Sequence, residues 1–493
     1  MKKTVAVIGA GLSGLSAAIR LAAAGYVVSL FEKNSAPGGK ASQINLDSFR
    51  FDTGPSLLTM SFVLEDLFNS LNLKMHDHLN LLPLSTLCKY YYPDGSVINA
   101  YSDPSKFAAE VESATSDKAS AVKNYLAYSK KIYDLTADLF LFRSFKEPST
   151  FLNYKALKTL LNINKIDPFR TVNSANQSFF KDPKTIQLFN RYATYNGSNP
   201  YLAPATLNII PHVECSLGAC LPDKGIHAIP ATLSQIADSA KIKIHTGSTV
   251  EKILYKNKDV RGIKVNGVKE YFDIVVAGTD VSYTYLNMFD NLNIRESKRY
   301  STLTPSSSAL VFYWGIKGYK SPLITHNTLF SANYKSEFDD LFTKKITPGD
   351  PTVYIYISSK LIPGDAPADG ENWFVMVNAP YIAGQNWDEE IKAQDSTIKN
   401  KINKTLGINI SDYISVSDVL TPPLIAEKTN SHLGSLYGIS SNNRNAAFLR
   451  QNNRSGYFKN LYFCGGSAHP GGGIPLVLLS GKIVSDLIRK DYD

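Results

Sequence analysis

The chain has 493 residues, 44% of them hydrophobic, with 28 Tyr and 24 Phe, which is too much for one simple core and excludes a disordered chain; two or three interleaved domains are expected. Its net charge of +9 fits an anionic lipid surface, yet the lysines are scattered and no nucleic-acid motif is present, so nucleic acid is not an expected partner. Cys88, Cys215, Cys220 and Cys464 have neither CxxC nor zinc-like spacing, so reduced thiols and no metal site are expected.

The beginning of the chain carries a strong pattern. Thr4 to Ile8 reads as a buried strand, Gly9-Ala-Gly11-Leu12-Ser13-Gly14 as a tight turn, and Leu15 to Ala24 as a helix. Gly9 lets the turn close, Gly11 leaves room for a pyrophosphate, and Gly14 lets the helix pack on the strand. The phosphates would meet free N–H groups at the positive end of the helix dipole. After Gly25 a second strand, Tyr26 to Phe31, ends at Glu32, placed to accept hydrogen bonds from an adenosine ribose. A 2′-phosphate would be repelled there, which favours FAD or NAD over NADP.

Lys33 to Lys40 includes Pro37-Gly38-Gly39, and Asp52-Thr53-Gly54-Pro55-Ser56 follows. A second glycine loop here suggests a cofactor lying extended across several segments, as FAD does. A hairpin is expected over 87–100, then helix over 105–141, where Phe107, Val111, Val122, Tyr125, Ile132 and Leu135 have helical spacing. From Leu139 to Arg170 large apolar residues (Leu139 to Phe142, Phe151, Leu152, Tyr154, Leu157, Leu160, Leu161, Ile163) interleave with Arg143, Lys146, Lys155, Lys158, Lys165 and Arg170. That mixture suits a helical segment at a lipid interface, or an amphipathic cap over the core.

A helix over 231–240, a strand over 241–245 and a hairpin over 249–265 come next. Phe272 to Ala277 reads as a buried strand returning to the first sheet and ending at Gly278-Thr279-Asp280. Strands such as Ala309 to Trp314, Thr352 to Ile357 and Trp373 to Tyr381 are apolar on both faces, so their sheet must be covered on both sides or wall an apolar cavity. Near the end, Asn460 to Cys464 runs into Gly465-Gly466-Ser-Ala-His469-Pro470-Gly471-Gly472-Gly473-Ile474-Pro475, and Leu476 to Ile488 closes as a helix. This is a second anion-tolerant surface, suited to a ribityl chain and a phosphate. His469 invites a catalytic reading, or one in which its ring packs near a flavin or serves the backbone.

These pieces, with Arg191-Tyr-Ala-Thr-Tyr195 and Ile210-Pro-His-Val-Glu214, resemble the bacterial-type phytoene and carotenoid desaturases of the flavin amine-oxidase-like superfamily. The C-terminal His469 to Leu476 is most similar to desaturases acting at C-3,4 of 1-hydroxylated carotenoids such as 1′-hydroxy-γ-carotene. The resemblance implies non-covalent FAD, a hydrophobic tunnel for a long polyene, and peripheral attachment to the inner, cytoplasmic face of the cell membrane. The expected fold is α/β: a Rossmann-like FAD-binding domain (1–75, 201–290, 441–493) interleaved with a mixed-sheet substrate domain (76–104, 291–440) and a helical membrane-associating region (105–200). Expected FAD contacts are Gly9, Gly11, Leu12, Ser13, Gly14, Glu32, Lys33, Gly38, Gly39, Lys40, Gly54, Pro55, Ser56, Val250, Gly278, Asp280, Gly465, Gly466, Pro470, Gly473, Ile474 and Pro475.

The expected reaction moves a hydride from an allylic CH2 to flavin N5 while a proton leaves the adjacent carbon, with a quinone or O2 as final acceptor. Glu214 and Arg170 are the candidates for proton removal or cation control, or else form a structural pair bracing a domain interface. On a strand, His212 and Glu214 would share a face. Two other classes fit the fold: an oxidase of amines or porphyrinogens, and a non-catalytic isoprenoid-binding protein like the GDP-dissociation inhibitors. The second has no use for an intact phosphate loop.

Overall fold

The computed structural model describes residues 2–144, 147, 162, 165–290, 293–442 and 450–493. Its organising layer is a five-stranded parallel sheet in the order Lys243–His245, Val27–Phe31, Thr4–Ile8, Ile274–Ala277, Leu461–Phe463. Strands from both ends of the chain therefore lie two places apart. All are short, and the four other than the edge strand Lys243–His245 are mainly apolar, as expected of parallel strands covered on both faces. The helix Leu12–Ala23 packs on this sheet, and the closing helix Ile474–Tyr492 packs on that helix. Their approach is close because small residues meet: a Cβ added at Gly481 would stand 2.6 Å from the Ser13 carbonyl oxygen. Ser16 Oγ donates to the Leu478 carbonyl at 2.9 Å across the same contact.

The second layer is a seven-stranded mixed sheet ordered Ile414–Leu420, Ser308–Lys317, Gly370–Ala379, Val353–Tyr356, His326–Leu329, Thr86–Tyr91, Val97–Tyr101. Its long second strand, Ser308–Lys317, is buried at every residue but the last, because its two faces have different neighbours. Leu310, Phe312 and Trp314 pack with Val375 and Val377 against Ile398 and Ile402 of the helix Trp387–Leu406. The alternate residues Ala309, Val311 and Tyr313, with Phe374, face the first layer. Period-two alternation between two apolar environments explains the uninterrupted apolar run. The hairpin expected over 249–265 forms and gains a third strand, Val268–Tyr271.

Three expectations are corrected. The 105–141 stretch is two helices, Pro104–Ala114 and Ala119–Phe140. They are separated where buried Asp117 turns its carboxylate to the N–H groups of Lys181 and Asp182, at 2.8 and 3.1 Å. The segment Ile210–Cys215 is a helix, not a strand, so His212 and Glu214 do not share a face. His212 packs on the Tyr133 ring, at 5.1 Å between centroids, while Glu214 bonds Tyr192 and Tyr195. The helix expected over 231–240 begins earlier, at Ala228, with Pro230 in its first turn, where proline removes no intrahelical bond. Of the segment read as interfacial, Leu139 to Arg143, Lys165 and Arg170 are described; Lys146, Phe151, Leu152, Tyr154, Lys155, Leu157, Lys158, Leu160, Leu161 and Ile163 lie outside the described residues. The four cysteines are free thiols.

Candidate active site

Between the two layers lies a cavity of about 720 Å³. One end is made of polypeptide turns. Gly9 adopts a positive φ of 95°, which turns the chain from the first strand into the helix Leu12–Ala23. A Cβ at Gly14 would stand 2.0 Å from the Gly9 carbonyl oxygen, so the helix can seat on this turn only with glycine there. Gly11 differs: nothing lies within 4 Å of an added Cβ, and the direction is open to the cavity. Gly11 begins its helix and Gly473 begins the closing helix, and neither start has a side-chain cap. Two sets of unpaired N–H groups thus reach one cavity, each at the positive end of a helix dipole.

Around these helix starts the structure gathers nearly all the residues expected to contact FAD. Gly9, Gly11, Leu12, Ser13, Glu32, Lys33, Gly38, Gly39, Lys40, Gly54, Pro55, Ser56, Val250, Gly278, Asp280, Gly465, Gly466, Gly473, Ile474 and Pro475 all line the cavity. Gly14 lies behind it, as helix packing requires, and Pro470 is not in its wall. Glu32 is oriented by backbone and neighbour: Oε2 accepts from the Ala10 N–H at 2.8 Å, and Oε1 from the Asn34 N–H at 2.9 Å and its Nδ2 at 2.7 Å. Lys40 Nζ donates to the Leu436 carbonyl at 2.6 Å. Burial lowers its pKa to about 8, partly offset by the Asp280 charge. Asp280 caps the helix Val281–Asn287 through the Tyr283 N–H at 3.1 Å, and burial raises its pKa.

The other end of the cavity is walled by the mixed sheet: Ala309, Val311, Phe374, Met376 and the Tyr313 ring supply apolar surface, and Thr328, Asn378, Asp418 and Tyr354 are its polar members. Tyr354 Oη lies 2.6 Å from Ser56 Oγ and 2.7 Å from His326 Nδ1. His326 is neutral, because burial, helped by the Arg191 charge, lowers its pKa to about 3. Beside Tyr354 stand Arg191 and Glu214. Tyr192 Oη donates to Glu214 Oε1 at 3.0 Å and Tyr195 Oη donates to Oε2. Burial raises the pKa of both phenols, so they stay protonated donors.

Arg170 is elsewhere. Its guanidinium is held by Asp167, with Nη2 2.5 Å from Oδ2, and it neither pairs with Glu214 nor lines the cavity. The arginine that does line it is Arg191, which sequence reading placed in a motif without giving it a role. Tyr354 was legible only as part of a strand; its signal was an aromatic hydroxyl on the cavity-facing alternation. His469 is also outside the wall, its Nε2 2.8 Å from the Arg143 carbonyl oxygen. Among the described residues no group of His, Cys, Asp or Glu is arranged to hold a metal ion.

The match to known proteins is full-length. The model of flavin-containing amine oxidoreductases matches residues 12–489. The chain belongs to this family. It is 42% identical over 490 residues to a 1-hydroxycarotenoid 3,4-desaturase of Flavobacterium sp. (strain P99-3), covering 99% of each chain. To a 4,4′-diaponeurosporene oxygenase of Staphylococcus haemolyticus (strain JCSC1435) it is 32% identical, covering 99% of this chain and 97% of the other. An oxidoreductase structure from Methanosarcina mazei superposes with a TM-score of 0.64 at 18% identity, covering 98% of this chain and all of that one; this likeness is one of fold.

The flavoprotein is thus an FAD-dependent oxidoreductase, and its residues fit the cofactor. Two uncapped helix starts, an open Gly11 and a fixed Glu32 carboxylate provide for two phosphates and a ribose. Gly11 has φ −70° and ψ 173°, which any residue adopts, so Gly11→Val leaves the fold intact and fills the phosphate space. The expected result is a folded, colourless protein with an unchanged far-UV spectrum; stoichiometric flavin in the purified variant would refute the phosphate site. The neutral His326 sets a pH dependence. The unfolded chain takes up a proton below about 6.5 and the folded chain only near 3, so stability falls on acidification through that window, by up to about 1.4 kcal/mol per pH unit. His326→Phe should show a shallower loss in denaturant titrations between pH 6.5 and 4, and parallel curves would contradict the assignment.

Proposed function

We propose that this flavoprotein desaturates a carotenoid, converting the C-3,4 single bond of a 1-hydroxylated chain such as 1′-hydroxy-γ-carotene into a double bond. The supporting observation is the 42% identity, end to end, with a 1-hydroxycarotenoid 3,4-desaturase; a cavity with polar turns at one end and an apolar sheet at the other agrees with it. Bound FAD supplies the two-electron oxidising chemistry, hydride acceptance at flavin N5. The chain supplies the surroundings. Val311, Phe374 and Met376 exclude water and align the polyene, whose conjugation spreads the positive charge left after hydride loss.

Glu214 is the one carboxylate among the buried polar groups beside this wall that the phenols of Tyr192 and Tyr195 hold. It opposes that positive charge and takes the proton from the neighbouring carbon. The substrate thereby loses one hydride and one proton and gains one C=C bond. The electrons leave the enzyme to O2 or to a membrane quinone, which differ in whether turnover continues without air.

Expression in cells that accumulate 1-hydroxylated carotenoids is expected to shift their pigment to longer wavelength with a mass loss of two hydrogens. A gain of oxygen would point to oxygenase chemistry, and unchanged pigment would remove the proposal. In the same cells Glu214→Gln should lower conversion by about tenfold or more, with flavin content retained.

Carotenoids reside in bilayers, so their enzyme needs a lipid contact. No helix among the described residues is long and apolar enough to cross a membrane, and peripheral attachment at the inner face is the arrangement proposed. Phe169, Leu202 and Leu217 support it: they are 61%, 52% and 43% exposed and flank the helical segment 205–215. The double variant Phe169→Asp, Leu202→Asp is expected to float poorly with anionic liposomes while keeping its flavin; undiminished flotation would place the contact elsewhere.

A further inference from the structure

Arg191 is a buried cation that the proposed reaction leaves without work. It is only 8% exposed, a costly place for a charge unless something receives its hydrogen bonds. Its partners among the described residues are few: Nη1 donates to Tyr90 Oη at 3.1 Å and, weakly, to Tyr195 Oη at 3.4 Å. Its planar group stands 5.4 Å from the Tyr90 ring centroid, 5.2 Å from that of Tyr195 and 5.9 Å from that of Tyr354. Among the described residues no carboxylate is within ion-pair distance, and Nε and Nη2 donate to nothing. Those two atoms are not sealed in protein; the side chain forms part of the cavity wall. A guanidinium held by three aromatic faces, with spare donors turned to a mainly apolar cavity, is a receptor for one oxygen atom.

We infer that Arg191 binds the substrate hydroxyl and thereby sets which end of the carotenoid reacts. The inference rests on the carotenoid reading above and adds the group that recognises the oxygen. Its chemistry is consistent with the bond in question. A hydroxyl on C-1 has its oxygen three bonds from C-3, so whatever holds it must stand beside the reacting carbons. Arg191 does so: Tyr354, on which it stacks, bonds Ser56 of the Gly54-Pro55-Ser56 turn at 2.6 Å, and Tyr195 links it to Glu214. The hydroxyl oxygen accepts from Nη2 or Nε, and no bond is made or broken. A polyene lacking the hydroxyl would leave those donors dry and unpaired, which is the arrangement that discriminates strongly against a missing polar group.

The test compares purified holoenzyme on a 1-hydroxylated carotenoid and on its deoxy counterpart in the same liposomes. Wild type is expected to prefer the hydroxylated chain in kcat/KM, and Arg191→Met to reduce that preference at least tenfold, mostly through KM. Arg191→Lys, which keeps the charge and loses the fork, should recover part of it; it also serves if the Met variant does not fold. Equal losses on both substrates, or no preference in wild type, would overturn the inference. So would a changed flavin content or absorbance spectrum with the preference intact, since Arg191 would then serve the cofactor. Wild type that converts neither carotenoid would instead overturn the desaturase reading itself, and the inference with it.

Discussion

The molecule depends on one close contact, between the helix that follows the first strand and the helix that ends the chain. Each starts at a glycine with no side-chain cap, and isolated helices leave such N–H groups to water. Here the two starts reach one cavity because the helices pack at a spacing that only small residues allow. Gly481 lies against Ser13 and Ala17, and Ser16 bonds Leu478. The parallel sheet repeats the constraint, since Leu461–Phe463 and Thr4–Ile8 flank the same strand, Ile274–Ala277. A ligand with two phosphates in an extended body is what such a pair of positive ends can hold together.

The mixed sheet solves a different problem. A polyene offers no hydrogen bonds, so its site must be apolar, yet removing a hydride creates positive charge inside it. Ser308–Lys317 meets the first demand by facing apolar surroundings on both sides. The second demand explains why polar groups stand beside this wall at all. Arg191, Tyr195 and Glu214 form a chain of near-zero net charge in which the phenol bonds both ions. Burial raises the pKa of Tyr195, so the phenol holds its proton and the two charges stay separate. Bridged by the phenol, the two opposite charges offset part of each other's burial cost without forming an ion pair, and the role proposed for Glu214 uses the negative one.

Much of this was legible in the residues because local patterns and the fold agree. Gly9, Gly11, Gly14 and Glu32 have roles fixed by backbone geometry within one strand–turn–helix–strand unit, and the structure arranges them in that order. Lys40 and Asp280 are far apart in sequence, and their glycine-rich settings were the signal that brought them to one wall. What failed was local pattern without local cause. The shared face considered for His212 and Glu214 required a strand, yet Pro211 in a first turn suits a helix. Arg170 and Arg191 are both arginines in aromatic, polar surroundings, and only the fold distinguishes them: Asp167, three residues away, holds the first, and no carboxylate among the described residues lies near enough to pair with the second.

That difference between two arginines bears on how a site of this kind acquires selectivity. An apolar tunnel discriminates weakly, because each added or missing carbon changes binding by little. A buried donor without a partner discriminates strongly, because the wrong ligand leaves it unpaired in a dry place. Tyr90, Tyr195 and Tyr354 stand around the Arg191 guanidinium, so turning it out to water would forfeit those contacts. Rigid aromatic support thus turns one charged side chain into a specificity device, while the surrounding wall remains free to accept a long hydrocarbon of almost any tail.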